Sequence, residues 1–524
     1  MTASSGTRIV LSAALLCAGV LATACGSFDA DFTTAEDEPL VLSLDEVTAG
    51  SGASAVLSVS AHPEHGSLTR RADGAFEYRP TAGYSGLDQF TVTTTDAVRL
   101  YTTDIPTLGE FGGATVQGSG FGSAWTPAPG TSNEFYGLTD RGPNVDGPGK
   151  NEKLAPVPGF VPKIGRFELA GTRAVLVSAI ELRDPSGVPF NGQVDTSAST
   201  GETIRDLAGN VLPATDHGLD PEGLVALPDG TFWVSDEYGP FLVHFDAEGT
   251  EIERLSPGRG LPREIGLRTP NQGMEGLTVT PDGSTLVGVV QSGLNTPGLN
   301  GSAKEVPMTR IVTVDLKSKA VKEFVYPLEN PKQTEVAISE ITAIGPTTFL
   351  VVERDGNLAP DSNKKIWTID IASATDVGPR STVANATYDP AAGGLLVDGK
   401  ALETLVGPVT TAEGVAALGR IGITPVTKLG NLDLTALVTQ LDPAGSYFGH
   451  DKIEGVATPD GGNTLYIAND SDFGLLGSVG DKPPFGLKPK TPANGWQDSG
   501  EILMVDTTKL PVKPGGHTFK IKVG

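Results

Sequence analysis

Glu222-Gly223-Leu224-Val225-Ala226-Leu227-Pro228-Asp229-Gly230-Thr231-Phe232-Trp233-Val234-Ser235-Asp236-Glu237 is the stretch whose reading decides the fold. An acid opens one apolar run, Pro-Asp-Gly interrupts it, and a second apolar run closes on acids. Proline presets φ and glycine accepts a positive φ, so the interruption is a turn and the two runs fold back as a β-hairpin. The same phrase returns at Glu275 to Gln291 around Pro281-Asp282-Gly283, and at Glu454 to Asp470 around Pro459-Asp460-Gly461. Glu340 to Glu353 is a variant turning at Gly345-Pro346.

A second phrase, a strand ending in an acid, alternates with the first. Its copies end at Glu168, Asp246, Asp315, Asp370 and Asp506. The last gap, 136 residues, is about two units long. It predicts a degenerate unit between 371 and 450, with a short helix over Leu432 to Leu441 as another reading of part of it. Repeated four-stranded units at this spacing predict an all-β chain whose main body is a β-propeller, with five visible blades and one inferred, six in all. Six similar hairpins would not share one end of a flat sandwich.

Composition agrees. The 524 residues include 67 Gly and 39 Pro, which favours turns and short strands over helix bundles. Sixty-three acidic residues against 38 basic give a net charge of −25, which excludes a nucleic-acid partner because no basic face is available to displace phosphate counterions. The only cysteines are Cys17 and Cys25, so a disulfide scaffold and a thiolate zinc site are excluded.

Both cysteines belong to the leader. Residues 1–24 read as a signal peptide, apolar or small from Ile9 to Ala24. Leu21-Ala22-Thr23-Ala24-Cys25-Gly26-Ser27 resembles a bacterial lipoprotein signal, although leucine sits one position early. Cleavage before Cys25 would leave that thiol lipidated and the chain anchored outside the cell membrane. Residues 25–36 read as a tether, residues 37–98 as a small β domain, and residues 99–524 as the propeller. In the small domain Phe76, Tyr78 and Pro80 alternate with Glu77 and Arg79, the period-two mark of a half-buried strand. The series from Ala72-Asp73-Gly74 through Gly83-Tyr84-Ser85-Gly86 to Asp96 resembles bacterial cadherin-like repeats of the immunoglobulin-sandwich type, which are spacers or adhesive units. Asp88 and Asp96, two carboxylates without further ligands, read as surface rather than as a calcium site.

The hairpins dictate where the chemistry lies. A hairpin returns its second strand about 4.8 Å from its first, so the opening acid and the closing acids share one edge. Around a propeller axis those edges meet at one mouth of the channel. This predicts Glu222, Glu275, Glu340 and Glu454 beside Asp236, Glu237, Glu353, Asp470 and Asp472, with Asp140-Arg141 from the first unit. So many carboxylates repel unless cations sit among them. Arg141, Arg354 and Lys452 are candidates, and so is a metal. Oxygen donors dominate, and of six histidines only His217 and His450 fall near the acids, so calcium fits best. Acids at strand ends also serve to tie blades together, which is the competing reading.

Asp220-Pro221-Glu222-Gly223, Ser235-Asp236-Glu237-Tyr238-Gly239-Pro240, Asn271-Gln272-Gly273-Met274-Glu275-Gly276, Glu353-Arg354, Lys452-Ile453-Glu454-Gly455 and Asn469-Asp470-Ser471-Asp472-Phe473-Gly474 form an ordered set. Together they resemble the phytase-like family, labelled "esterase-like activity of phytase", over roughly residues 100–510. The resemblance implies a secreted propeller that hydrolyses a small phosphorylated or ester substrate with calcium. The aspartate-rich opening motif of true phytases is missing. On this reading Glu222, Glu275, Glu353, Glu454 and Asp470 are the metal ligands. Asp236, Glu237 and His217 serve water activation or proton transfer, and Arg141, Arg354 and Lys452 take phosphoryl charge. No G-x-S-x-G nucleophile elbow is present. The alternative is a non-catalytic surface propeller that binds a ligand, with calcium as a structural clip.

Overall fold

The computed structural model describes residues 30–71, 74–198 and 201–524. The leader and Cys25 lie outside the described residues. Strands dominate, as expected. The Pro-Asp-Gly stretches are tight turns, with Gly230 at φ 89°, Gly283 at 71° and Gly461 at 69°.

Among the described residues, four-stranded blades number five rather than six. The first runs Ala124–Pro127, Glu134–Leu138, Lys163–Ala170, Arg173–Glu181, and the second Pro221–Ala226, Phe232–Asp236, Leu242–Phe245, Glu251–Pro257. The third is Met274–Val279, Thr285–Val290, Thr309–Asp315, Val321–Tyr326. The fourth is Ala337–Ala343, Thr348–Arg354, Lys364–Asp370, Thr427–Asp433, and the fifth Ile453–Ala457, Thr464–Asn469, Glu501–Asp506, Val98–Thr103. The innermost strand of each blade packs on that of the next, and the fifth returns to the first, which closes the ring. The missing sixth blade has a simple cause. After Asp370 the chain leaves the fourth blade, builds a small sheet (Ala386–Asp389, Gly394–Val397, Lys400–Ala401) and the helices Leu402–Val406 and Thr411–Arg420, and returns to supply that same blade's outer strand. The long spacing was an excursion within one blade.

The ring is closed by Val98–Thr103, antiparallel to Glu501–Asp506. The small domain therefore precedes the closing strand directly, and it also recruits the other end of the chain. Gly515–Val523 pairs with Gly86–Thr95 from Gly86 to Thr94, with Phe32–Thr34 on its other edge and Ala55–Ala61 beyond Gly86–Thr95. So residues 515–523, read as propeller, and 32–34, read as tether, are strands of the small sandwich. Its second sheet is Leu40–Leu42, Phe76–Pro80, Gly66–Arg70, and Phe76 and Tyr78 point into the core as their alternation requires. Asp88 is not surface: it is buried and accepts hydrogen bonds from the Glu64, His65 and Gln89 N–H groups and the Tyr78 hydroxyl.

The two bodies share apolar packing. Ala55 and Leu57 of the sandwich lie in one cluster with Leu434, Leu437, Val438 and Leu441 of the helix Leu434–Leu441, and with propeller residues such as Val352 and Leu503. Asp433 caps that helix by accepting the Ala436 N–H. Each fully buried side chain of this size contributes about 1.5–3 kcal/mol, so the sandwich is held against the ring rather than hung from it.

Candidate metal and anion site

Register shifts position the site. In the second blade Pro221 faces Asp236 and Gly223 faces Ser235, leaving Glu222 as the extra residue of a β-bulge. Glu275 has the same station in the third blade and Glu454 in the fifth. A bulge re-aims its extra side chain, here into the channel mouth. The glycine after each glutamate is demanded by crowding: a Cβ on Gly223 would lie 2.5 Å from the Leu277 nitrogen, and one on Gly276 2.6 Å from the Ile341 nitrogen. Inner strands this close leave a narrow axis with the three carboxylates gathered around it.

They line one cavity of about 340 Å³. Glu222, Glu275 and Glu454 share it with Asp140, Asp220, Glu237 and Asp472, with the cations Arg141, Arg354 and Lys452, and with Asp146 and Lys153 at the rim. Asp220, Glu222 and Glu237 each offer a carboxylate oxygen, and these three atoms lie within 4.8 Å of one another. Asp220 Oδ1 accepts the Arg141 N–H at 3.2 Å; its Oδ2 takes no hydrogen bond among the described residues. The cations are anchored too. Arg141 Nη1 donates to the Tyr238 hydroxyl at 2.8 Å and to Glu202 at 3.1 Å. Arg354 donates to Glu454, and Lys452 to Asp470 and Asp472. Lys490, buried behind them, donates to Asp472 at 2.8 Å and lies 2.7 Å from Asp451.

Protonation follows from this crowding. Burial, then Glu454, pushes Glu275 up to about 8 against the pull of Arg354. Burial and Glu275 raise Glu222 and Glu237 well above the carboxylate range. Burial and Asp470 do the same to Asp140. Asp472 goes the other way: burial opposes it, but Lys452 and Lys490 hold it well down.

Several expected site residues lie elsewhere. Glu353 is turned away from the mouth and accepts from the Tyr326 hydroxyl at 2.8 Å and from Lys428. Asp470 is buried against Lys452, 3.2 Å away, and is not among the residues lining the cavity. Asp236 holds the turn that carries Glu237, accepting the N–H groups of Asp220 at 2.7 Å and Gly239 at 2.6 Å. His217 lies outside the cavity, 3.2 Å from Asp184. His450 is sealed between Asp498 and Glu501. Glu340 accepts the Ile341 and Leu277 N–H groups and ties the fourth blade to the third. The sequence reading did not single out Asp220 beside Glu222, Gln291 in the lining, Glu202 against Arg141, or Lys490 against Asp472. Of these, only Asp220 carried a signal, two residues before Glu222 in a strand that opens on acids.

The donor set fits a hard divalent cation: three converging carboxylates, one with an oxygen that accepts no hydrogen bond among the described residues and lies 3.6 Å from Arg141, and no sulfur or imidazole in the cavity lining. Comparison with known proteins agrees with the architecture. A family model described as "Esterase-like activity of phytase" matches residues 117–473. The chain belongs to this phytase-like family. A bacterial Ig domain model matches residues 23–108, which covers the small sandwich apart from its strand Gly515–Val523. An "uncharacterized secreted protein" of Arthroderma benhamiae is 29% identical over 234 residues, 35% of this chain and 45% of the relative, so the chain spans less than half of that protein's length. Solved structures similar to this phytase-like chain include a calcium-binding protein, regucalcin, from Agrobacterium tumefaciens (10% identity, 70% of this chain and 87% of that one, TM-score 0.28). Streptogramin B lyase gives 8% identity, 80% and 97% coverage, and a TM-score of 0.27. The Dos1 propeller gives 8%, 86% and 83%, and 0.25. At these scores they add nothing to what the sheet order shows.

Proposed function

We propose that this phytase-like protein is a calcium-dependent phosphoric ester hydrolase acting outside the cytoplasm. The observation that carries the reading is the convergence of Asp220, Glu222 and Glu237 within 4.8 Å in the same cavity as Arg141, Arg354 and Lys452. Eight acidic side chains against four cationic ones line that cavity, an excess that a bound cation would offset where a phosphate is to enter. Asp220, Glu222 and Glu237 are the residues to hold calcium, which when bound offsets their charge and polarises a phosphoryl oxygen. Arg354 and Lys452 face the remaining phosphoryl oxygens, each loosening from its carboxylate as the substrate's charge replaces it. Glu275, pushed up to about 8 by burial and Glu454, keeps a proton at neutral pH and suits protonation of the leaving alkoxide. The attacking water loses its proton to a cavity carboxylate that is ionised, for which Asp472, held down by Lys452 and Lys490, is the candidate.

A secretory leader, the Cys25 lipoprotein-like junction and the secreted relative support export with a lipid anchor. No helix among the described residues is long and apolar enough to cross a membrane. One observation favours the non-catalytic reading: Arg141, Arg354 and Lys452 all already have carboxylate partners, an arrangement that a structural calcium clip also needs. Purified protein with a panel of phosphomonoesters and diesters, with and without chelator, separates the two. Turnover restored by calcium is expected. Calcium binding without turnover of any ester leaves the clip.

A further inference from the structure

The cavity at the channel mouth has a neighbour. A groove of about 610 Å³ adjoins it, and Asp146, Lys153, Asn271 and Gln272 line both. The hairpin of Val145–Asp146 with Glu152–Leu154 forms one wall, the stretch from Thr269 to Gln272 another, and Lys304 stands on a third segment. Arg141 marks the junction. Its Nη1 donates to Glu202, which lines the groove, and at 3.3 Å to Asn271, which lines both spaces. Gln272 stands three residues before Glu275 and shares the first cavity with it, so the groove begins beside the acid assigned to the leaving alkoxide.

The two spaces differ in chemistry. At the mouth acids outnumber cations. In the groove each acid has a cation of its own: Asp146 lies 2.7 Å from Lys153, Glu152 2.8 Å from Arg205 and Glu202 3.1 Å from Arg141. What remains to meet a ligand is neutral. The side-chain amides of Asn151 and Gln272 make no hydrogen bond among the described residues, and Asn271 uses only its carbonyl oxygen, on Arg141. Asn151 and Asn271 stand at φ 53° and 55°, a left-handed backbone that asparagine tolerates better than most side chains. An amide offers a donor and an acceptor together, which is what a hydroxyl group needs. Lys304 is exposed and is the one lining cation without a carboxylate partner among the described residues. A single exposed lysine does not offset several phosphates, each carrying about −1.5 to −2.

We propose that this groove binds the alcohol half of the substrate, and that the alcohol is neutral and rich in hydroxyl groups: a sugar or similar polyol carrying one phosphate. The phosphate occupies the mouth, and the remaining hydroxyls bond to Asn151, Asn271 and Gln272. A simple alkyl ester leaves the amides unused, and a many-times phosphorylated polyol brings charge that the groove does not match. This rests on the hydrolase reading above.

The test uses the full chain with calcium and three probes: glucose 6-phosphate, ethyl phosphate and inositol hexakisphosphate. Wild type is expected to turn over glucose 6-phosphate with the highest kcat/KM. Asn151→Gly, which keeps the left-handed backbone and removes the amide, and Gln272→Ala are each expected to lower the ratio of kcat/KM for glucose 6-phosphate over ethyl phosphate about three- to tenfold, the scale of one neutral hydrogen bond, with the loss in KM. Melting curves check that both variants fold. A ratio unchanged in both variants overturns the groove and leaves the hydrolase standing. So does a preference for inositol hexakisphosphate that Lys304→Gln abolishes, which makes the groove an anion site. Calorimetric binding of glucose 6-phosphate separates the two readings when no probe is turned over. Binding that weakens in Asn151→Gly keeps the groove and overturns the hydrolase, and no binding overturns both.

Discussion

Two clusters of buried carboxylates sit in this molecule and they are built to opposite ends. One is the cavity at the channel mouth, where acids from separate blades converge on open space. The other is sealed. Arg310 of the third blade donates to Glu403 at 2.8 and 2.9 Å, with Glu323 at 3.9 Å and Glu264 close by, bonded to the Tyr388 hydroxyl. All four charged residues are fully buried. Glu403 and Tyr388 belong to the excursion after Asp370, so this cluster straps the excursion to the third blade and the loop before it. A closed cluster carries its own cation in a fixed, bidentate geometry. The open one has cations at its edges and, in the function proposed above, a centre that takes one from solution. Burial alone does not distinguish structure from function; the placement of the positive charge does.

The largest effect expected from breaking this contrast is at the strap. Arg310→Met leaves three buried acids without their partner and is expected to cost about 3–5 kcal/mol, read as a lower urea midpoint, with calcium affinity of the folded fraction unchanged. The counterpart is Glu222→Gln. Calcium at one hundred times its dissociation constant is expected to stabilise the wild type by about 2.7 kcal/mol. The glutamine variant should lose that increment yet be no less stable than wild type without metal, because one of several mutually repelling acids is gone. A variant that still responds to calcium would show that the cavity is not the binding site.

Acidity sharpens the contrast further. Glu275 is raised to about 8 from an ordinary 4.5 by burial and Glu454, so between those values the folded chain holds a proton that the unfolded chain has released. Stability of the metal-free protein should therefore fall as pH rises across that interval, by up to about 1.4 kcal/mol per unit for one proton. His450 adds to the trend: against burial, Asp498 and Glu501 lift it to about 10 from 6.5, so its contribution is full below 6.5 and lost toward 10. Asp498, which His450 and Lys490 hold at about 2 in spite of burial, contributes above 3.8 and fails only as pH drops through 2. Denaturation midpoints from pH 5 to 10 should decline without calcium and flatten with it, because the cation takes the place of the protons in the cavity. Equal slopes in both conditions would contradict a cation among these acids.

What the sequence disclosed follows from what repeats. Hairpins, the Pro-Asp-Gly turns and the bulge glutamates of three blades recur, so Glu222, Glu275 and Glu454 were legible together, as were Arg141, Arg354 and Lys452 beside them. Features that occur once were not. Arg310 and Glu403 stand 93 residues apart and meet only because the excursion folds back. Gly515–Val523 shows strand alternation but no sign that its partner is Gly86–Thr95. Lys490 lies in a stretch that reads as loop, and its role exists only where Asp451 and Asp472 converge on it. Glu353 misled for a different reason: strand-end acids look alike in sequence, and one residue of register decides whether a side chain meets the axis or the neighbouring blade.

Glu340 is where the smallest effect is expected, and it tests that register argument most directly. Its sequence context matches that of Glu222, Glu275 and Glu454, yet it falls one residue past the bulge, in the place that glycine takes after each of those three. Its carboxyl instead accepts the N–H groups of Ile341 at 2.8 Å and Leu277 at 3.3 Å, and burial raises it well above the usual range, so it acts as a neutral acceptor. Glutamine keeps that carbonyl oxygen. Glu340→Gln is thus expected to change stability by less than about 1 kcal/mol and to leave the calcium titration where it was, whereas Glu340→Ala strands two buried donors and costs about 1–3 kcal/mol, again without touching calcium. A glutamine variant that lost calcium would place the Glu340 carboxylate at the channel mouth and would shift the assigned register of the fourth blade by one residue.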